Sequence, residues 1–198
     1  MDRDLAVAIS AAPRVSIEGF FERHVSPSWA ESALLGSASG GRWAAPNAFS
    51  VIYLGRPASS VVVEAYRHLV DDIEGMTVDR VRGRRLVRAQ VSVDDVLDLR
   101  SRQSRLAVGL ADAELFSDVG DYDACQRIGH VAHQLNMHGV LAPAATRLGE
   151  TLALFVDFLS PQELPVRVGD PIVWDALPAD PRHLRIVSPS ESDELWSG

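Results

Sequence analysis

Lysine is absent from these 198 residues, and all nineteen basic side chains are arginine. Schiff-base and lysine-nucleophile chemistries are thereby excluded, while the planar arginine fork remains available for bidentate contact with phosphate. Cysteine is almost absent too. Cys125 stands alone, so no internal disulfide and no multi-cysteine zinc site can form, and a reducing compartment, the cytoplasm, is the expected setting. Positive charge is in deficit, with a formal net charge of −8. Affinity for a polyanion is largely supplied by basic groups that displace counterions, so no direct nucleic-acid contact is expected. Long apolar runs are missing as well. No segment approaches the roughly 20 apolar residues of a membrane span, and the opening MDRDLAVAISAAPRV sets acids beside its first arginine, so neither a membrane partner nor a signal peptide is expected. Internal repeats and low-complexity tracts are also lacking.

What is present is a 46% hydrophobic content, enough at this length for one compact domain spanning 1–198. RVSIEGFFERHV reads as a strand closed by Pro27, and SPSWAESALLG as a short capped helix ending at Gly36. SASGGRWAAPNA is a loop, and AFSVIYLG a buried strand. SSVVVEAYRHLVDDIEG spaces Val62, Ala65 or Tyr66, Leu69 and Ile73 as a helix, with Ser59 or Ser60 as N-cap and Gly75 as the stop. RRLVRAQVSV alternates as a strand, DDVLDLRSRQSRLAVGL reads as a turn and short helix, and DYDACQRIGHVAHQLNMHG as a second amphipathic helix. VLAP and TLALFVDFL read as strands. A proline-rich extension follows over 159–198, with one more strand expected in HLRIVS. Strands and helices mix without regular alternation, which predicts a mixed α+β domain rather than a doubly wound sheet.

Three residues in order stand out: Arg23 in FFERHV, Tyr53 in VIYLG and Glu64 in SSVVVEAYRHL, with GGRW at 40–43 between the first two. An arginine that can grip phosphate, a ring that can stack, and a carboxylate on a helix are the parts needed to hold a dinucleotide at its ribose. Each also has an ordinary structural use. Glu64, Arg67 and His68 suit a solvated helix face, and Tyr53 suits a core tyrosine with its hydroxyl bonded.

The run GGRWAAPNAFSVIYLGRPASSVVVEAYRH, with Arg23 upstream and YDACQRIGHVAHQLNMHGVLAPAA downstream, resembles the RES-domain family of bacterial toxins from about residue 19 to 158. The resemblance implies a fold similar to ADP-ribosyltransferases, consumption of NAD as substrate without a metal, and a helix-turn-helix antitoxin as partner. It implies that Arg23 and Glu64 match the family arginine and glutamate. Tyr53 matches the tyrosine ahead of that glutamate, and Arg42 with Trp43 the arginine and tryptophan of the GGRW loop. By the same resemblance Arg23 and Arg42 clamp pyrophosphate, Tyr53 flanks the nicotinamide, and Glu64 stabilises charge developing on the ribose. The nicotinamide–ribose bond is then broken, with water, inorganic phosphate or a protein side chain as acceptor. A mono-ADP-ribosyltransferase acting on a cellular protein shares the same site residues.

The sequence departs from the family at its serine, where Asp123 stands just before CQRIGH, and at the residue after GGRW, where Ala44 replaces a frequent asparagine. A carboxylate at a helix N-terminus competes with phosphate for its free N–H groups. Asp123 therefore either caps the helix while Ser117 supplies the hydroxyl, retunes the site, or marks a non-catalytic relative.

The remaining features are expected to be structural. His130, His133 and His138 lack an HExxH partner and read as helix-surface histidines. Cys125 falls in the apolar stripe with Ile128 and Ala132, a buried small hydrophobe. DRVRGRRLVR, with five arginines in ten residues, reads as a solvated hairpin or a surface for an acidic partner.

Overall fold

The computed structural model describes residues 2–183. Its centre is a sheet that closes on itself. Strand β1 (Arg14–Val25) pairs antiparallel with β2 (Val51–Arg56), β2 with β5 (Glu150–Phe155), and β5 with β4 (Gly139–Pro143). β4 then runs parallel to the end of β3 (Arg84–Asp98), and β3 returns along the whole of β1. Period-two alternation explains the ring. Ile17, Phe21, Ile52, Leu54, Val91, Val93, Leu141, Leu152 and Leu154 point to one buried cluster among the strands. Their neighbours Val51, Val140, Ala153 and Phe155 point the other way, into a second core.

That second core is covered by α1 (Arg3–Ala11) and α5 (Asp123–Gln134). Helix α1 was not expected from the sequence. Asp2 caps it by accepting a hydrogen bond from the Leu5 N–H at 3.2 Å, and Leu5 and Ile9 bury its apolar stripe. Between β3 and α5 lie the short α3 (Arg102–Ala107) and α4 (Asp112–Leu115). The buried Arg105 joins them, donating to Asp112 and to the carbonyls of Leu99 and Arg100.

Several local expectations need correction. The 26–36 segment is not a capped helix, because only Pro27–Trp29 makes a 3₁₀ turn and the Ala33 carbonyl is turned to accept from Arg23. Helix α2 (Ala58–Tyr66) begins behind Pro57 without a side-chain cap, so neither Ser59 nor Ser60 caps it, and after Tyr66 it widens into a π turn, Arg67–Asp71, short of Gly75. DDVLD continues β3 instead of turning. Asp95 absorbs the irregularity with φ of 55°, and Val96 and Leu97 beyond it are fully buried. The chain after 159 is built into the fold through residue 182: β6 (Val166–Arg167) and β7 (Ile172–Trp174) pair with β3, Trp174 and Leu177 pack against α2, and Arg182 pairs with Asp71. The strand expected in HLRIVS lies outside the described residues after His183.

Glu163 locks the chain after β5. Its carboxylate accepts from the Ser160 N–H (3.0 Å) and hydroxyl (2.8 Å) and from the Asp94 N–H (3.2 Å), and His138 Nδ1 lies at 2.8 Å. Burial works against ionisation here, but the bonds from Ser160, Asp94 and His138 outweigh it and hold the carboxyl down to about 2. A depressed pKa contributes stability that is present above the unfolded value and is lost as pH falls through the folded one. Glu163→Gln is therefore expected to flatten the acid side of the stability curve between about pH 4.5 and 2, removing on the order of 3 kcal/mol of pH-dependent stability. Chemical denaturation across that window checks it, and an unchanged acid slope overturns it.

No helix among the described residues is long and apolar enough to cross a membrane.

Candidate functional site

β1 and β2 pair at one register position, Glu22 opposite Gly55. Beside that junction lies a cavity of about 700 Å³, walled by β1, β2, α2, the 39–46 loop and the start of α5. Arg23, Arg42, Trp43, Tyr53 and Glu64, far apart in sequence, all line it.

Arg23 reaches it from β1, its Nη1 donating to the Ala33 carbonyl at 2.9 Å. Burial lowers its guanidinium from the ordinary value. His24, next on the strand, is half-buried beside Arg84, whose Nε donates to His24 Nδ1 at 3.3 Å. Burial, with the Arg84 and His68 charges, pushes this imidazole down to about 3, so it is neutral at physiological pH with its proton on Nε2. The expected basic patch is thus partly turned inward: Arg84 holds His24, and Arg88 pairs with the buried Glu22 at 2.7 Å.

The GGRW loop is fixed from three sides. Tyr53 leaves β2 on the face opposite Ile52 and Leu54, and its hydroxyl accepts from the Trp43 N–H at 3.0 Å. Burial pushes that hydroxyl up to about 12, so it stays protonated. Gly41 lies flat on the ring, where a Cβ would stand 2.8 Å from Tyr53. From α5, Gln126 Nε2 donates to the Gly41 carbonyl at 2.9 Å, and Gly129 passes directly behind Trp43. The Trp43 indole is 1% exposed and belongs to the core under α1 and α5, so it supports Arg42 from behind instead of offering a stacking face.

Glu64 faces the cavity from α2, with its side chain 38% exposed, and its Oε1 is 2.7 Å from His68 Nε2 one turn on. Burial would raise the carboxyl, yet the His68 hydrogen bond and the charges of His68, Arg67 and Arg42 outweigh it and hold it below the usual carboxylate range. Glu64 is therefore ionised at neutral pH. Ser60, one turn earlier, also lines the cavity, with its Oγ 2.9 Å from Thr146 Oγ1.

Asp123 is not brought to this cavity. It is exposed at the first turn of α5 and lies on a separate shallow surface groove with Asp2 and Arg127. Tyr122, just before α5, and Gln126 on it face the cavity, and Arg42 lies 4.5 Å above the Tyr122 ring. Ser117 binds Arg42 through both its hydroxyl (3.2 Å) and its carbonyl (3.1 Å). Ala44 is buried, and its carbonyl closes the GGRW turn by accepting from the Gly41 N–H at 2.8 Å. His24, Ser60, Tyr122 and Gln126 were missed by sequence reasoning. A lone glutamine among the apolar positions Cys125, Ile128 and Ala132 was the available signal for Gln126.

The discounted features are structural in place. His133 stacks on Phe49 with ring centroids 4.0 Å apart and pairs with Asp157, and burial pushes the Cys125 thiol up to about 11, leaving it unreactive. Among the described residues no cluster of three or more His, Cys, Asp or Glu side chains could hold a metal ion.

The RES domain family model matches residues 21–177. The NAD(+) phosphorylase MbcT of Mycobacterium tuberculosis is 35% identical over 130 residues, 65% of this chain and 68% of that protein. A probable NAD(+) phosphorylase of the same species is 35% identical over 183 residues, 88% of this chain and 84% of its own. Among solved structures, the crystal structure of the M. tuberculosis MbcT-MbcA toxin-antitoxin complex matches with a TM-score of 0.71 at 27% identity, covering 87% of this chain and 92% of the matched one.

Proposed function

The chain belongs to the RES domain family, and on that premise we propose that it is the toxin of a toxin–antitoxin pair, cleaving the nicotinamide–ribose bond of NAD with inorganic phosphate as acceptor. The observation that carries this reading is the ionised Glu64 in one cavity with Arg23 and Arg42. A volume of about 700 Å³ suits a ligand the size of a dinucleotide. The charges also suit it, with two arginine forks for a pyrophosphate and one carboxylate for a ribose that becomes cationic.

In the reaction the C–N bond to nicotinamide breaks and the ring leaves with the bonding pair as a neutral base. Glu64 stabilises the positive charge that grows on the ribosyl carbon, since a fixed charge in a sheltered site costs no reorganisation as the barrier is crossed. A phosphate oxygen forms the new C–O bond, giving ADP-ribose 1″-phosphate and a proton. Tyr53, locked to Trp43, keeps Arg42 in position. Its ring and the neutral His24 bound the substrate space without adding charge. The antitoxin partner is expected to be a helix-turn-helix protein, and the setting the cytoplasm.

The test is to incubate the purified protein with NAD, with and without inorganic phosphate and with cell lysate, following free nicotinamide, ADP-ribose 1″-phosphate and label on protein. Phosphate-dependent nicotinamide release is the expected result. Label on protein would instead favour ADP-ribosyl transfer, and no turnover under any condition would sink both. Asp123, outside the cavity, has no step in this reaction. Asp123→Ser is expected to leave turnover within about twofold, as for a surface substitution; a tenfold change in either direction would return Asp123 to the site.

A further inference from the structure

Arg67 has no place in the scheme above, yet its Nη1 is buried with no hydrogen-bond partner among the described residues. A buried guanidinium N–H without an acceptor is costly, because its lost hydration is not replaced, so it needs a reason. The other arm supplies the context. Arg67 Nη2 donates to the Ser117 carbonyl at 3.1 Å, the same oxygen that accepts from Arg42 Nη2 at 3.1 Å. A carbonyl oxygen has two lone pairs, and the two arginines take both. Three pieces of the cavity wall therefore meet at one atom: the α2 helix with Glu64, the GGRW loop, and the 116–122 segment that brings Val119, Gly120 and Tyr122 to the rim.

Arg42 spends an N–H of each arm on Ser117, so turning its fork squarely to a pyrophosphate breaks those contacts. Its Nη1 is on the Ser117 hydroxyl and its Nη2 on the Ser117 carbonyl. When a phosphate draws Arg42 away, two acceptor positions on Ser117 come free, and Arg67, with Nη1 unassigned, carries the donor to fill one. The geometry points to Arg67 as a positioning residue for substrate binding: we propose that it takes over Ser117 from Arg42 when Arg42 turns to the pyrophosphate, holding the Tyr122 segment in place. Arg67 also adds positive charge near Glu64, a separate effect that any cation at this position retains.

This deepens the NAD reading and rests on it. Arg67→Lys keeps the charge but offers one ammonium in place of a two-armed fork, and Arg67→Met removes both. The measurements are KM and kcat for NAD and, independently of turnover, the Kd of ADP-ribose by calorimetry. Arg67→Lys is expected to raise KM and Kd about tenfold with kcat within about twofold, and Arg67→Met to weaken binding further. In a cycle with Arg42→Met the two losses are expected to be non-additive, because the side chains share Ser117. Thermal unfolding of each variant shows that it is folded. Wild-type Kd in a folded Arg67→Lys protein, a fall in kcat at constant KM, or strict additivity would each overturn the proposal. A wild-type protein that binds ADP-ribose but releases no nicotinamide would count against the NAD reaction alone, since the Kd series still decides the role of Arg67.

Discussion

Glu64→Gln is expected to lower nicotinamide release by two to three orders of magnitude while the protein stays folded and still binds NAD. The exchange is isosteric. An amide oxygen can remain near His68 Nε2, now 2.7 Å from Oε1, but the negative charge is gone. Binding should change little, because the arginines that grip the pyrophosphate are elsewhere on the wall. The loss therefore belongs in kcat, the signature of an interaction made chiefly in the transition state. The pH profile gives a second check. Glu64 is held below its ordinary value of 4.5, so the wild-type acid limb attributable to this group lies under that value and activity falls only as pH drops through it. A Glu64→Gln protein that turns over at even a tenth of the wild-type rate would show that another group stabilises the ribosyl charge.

Those residues were legible because each sits in a stretch with a strong local pattern. The apolar and aromatic content of FFERHV and SVIYLG and the helical spacing of SSVVVEAY put Arg23, Tyr53 and Glu64 on elements of the right type, and the structure brings all three to one cavity with Arg42. The resemblance supplied their order, which spacing alone could not interpret. Asp123 shows where such reasoning loses resolution. Successive helix residues are about 100° apart, so a one-residue shift in register moves a side chain from the cavity to solvent. Tyr122 faces in, Asp123 faces out, and Gln126 faces in again. The ring closure was also hidden. The parallel pairing of β3 with β4 rests on Val96, Leu97 and Asp98, which follow a left-handed Asp95 in a stretch whose paired acids look like a turn. Helix α1 is hidden in MDRDLAVAISAA because its apolar stretch is short and N-terminal, like that of a leader, although Asp2 followed by Leu5, Ala6 and Ile9 carries a cap and an apolar stripe.

Gly129→Ala tests how helix α5 governs the GGRW loop, and it is expected to be strongly destabilising. A Cβ at Gly129 would stand 1.9 Å from the Trp43 carbonyl oxygen and 2.8 Å from its carbon, and the obstacle is backbone, with no flexible side chain to move aside. Alanine is favoured over glycine in a helix interior by up to about 1 kcal/mol, so propensity argues for a gain. The clash decides the sign. Overpacking by one methyl group typically costs about 1–3 kcal/mol and occasionally more, and here the yielding element is a loop already fixed by Tyr53 and Gln126, so a cost of about 4 kcal/mol less the helix gain places the expected net loss near 3 kcal/mol. For a protein of this size that lowers Tm by roughly 6–12 °C. The displaced residue stands between Arg42 and Ala44, so KM for NAD should rise together with the fall in Tm. Arg127→Ala, an exposed change two positions earlier on the same helix, serves as the control and should move neither. If Gly129→Ala melts within about 2 °C of the wild type, the loop can shift away from α5 at little cost. The close approach of α5 to Trp43 would then not be what holds Arg42 over the cavity.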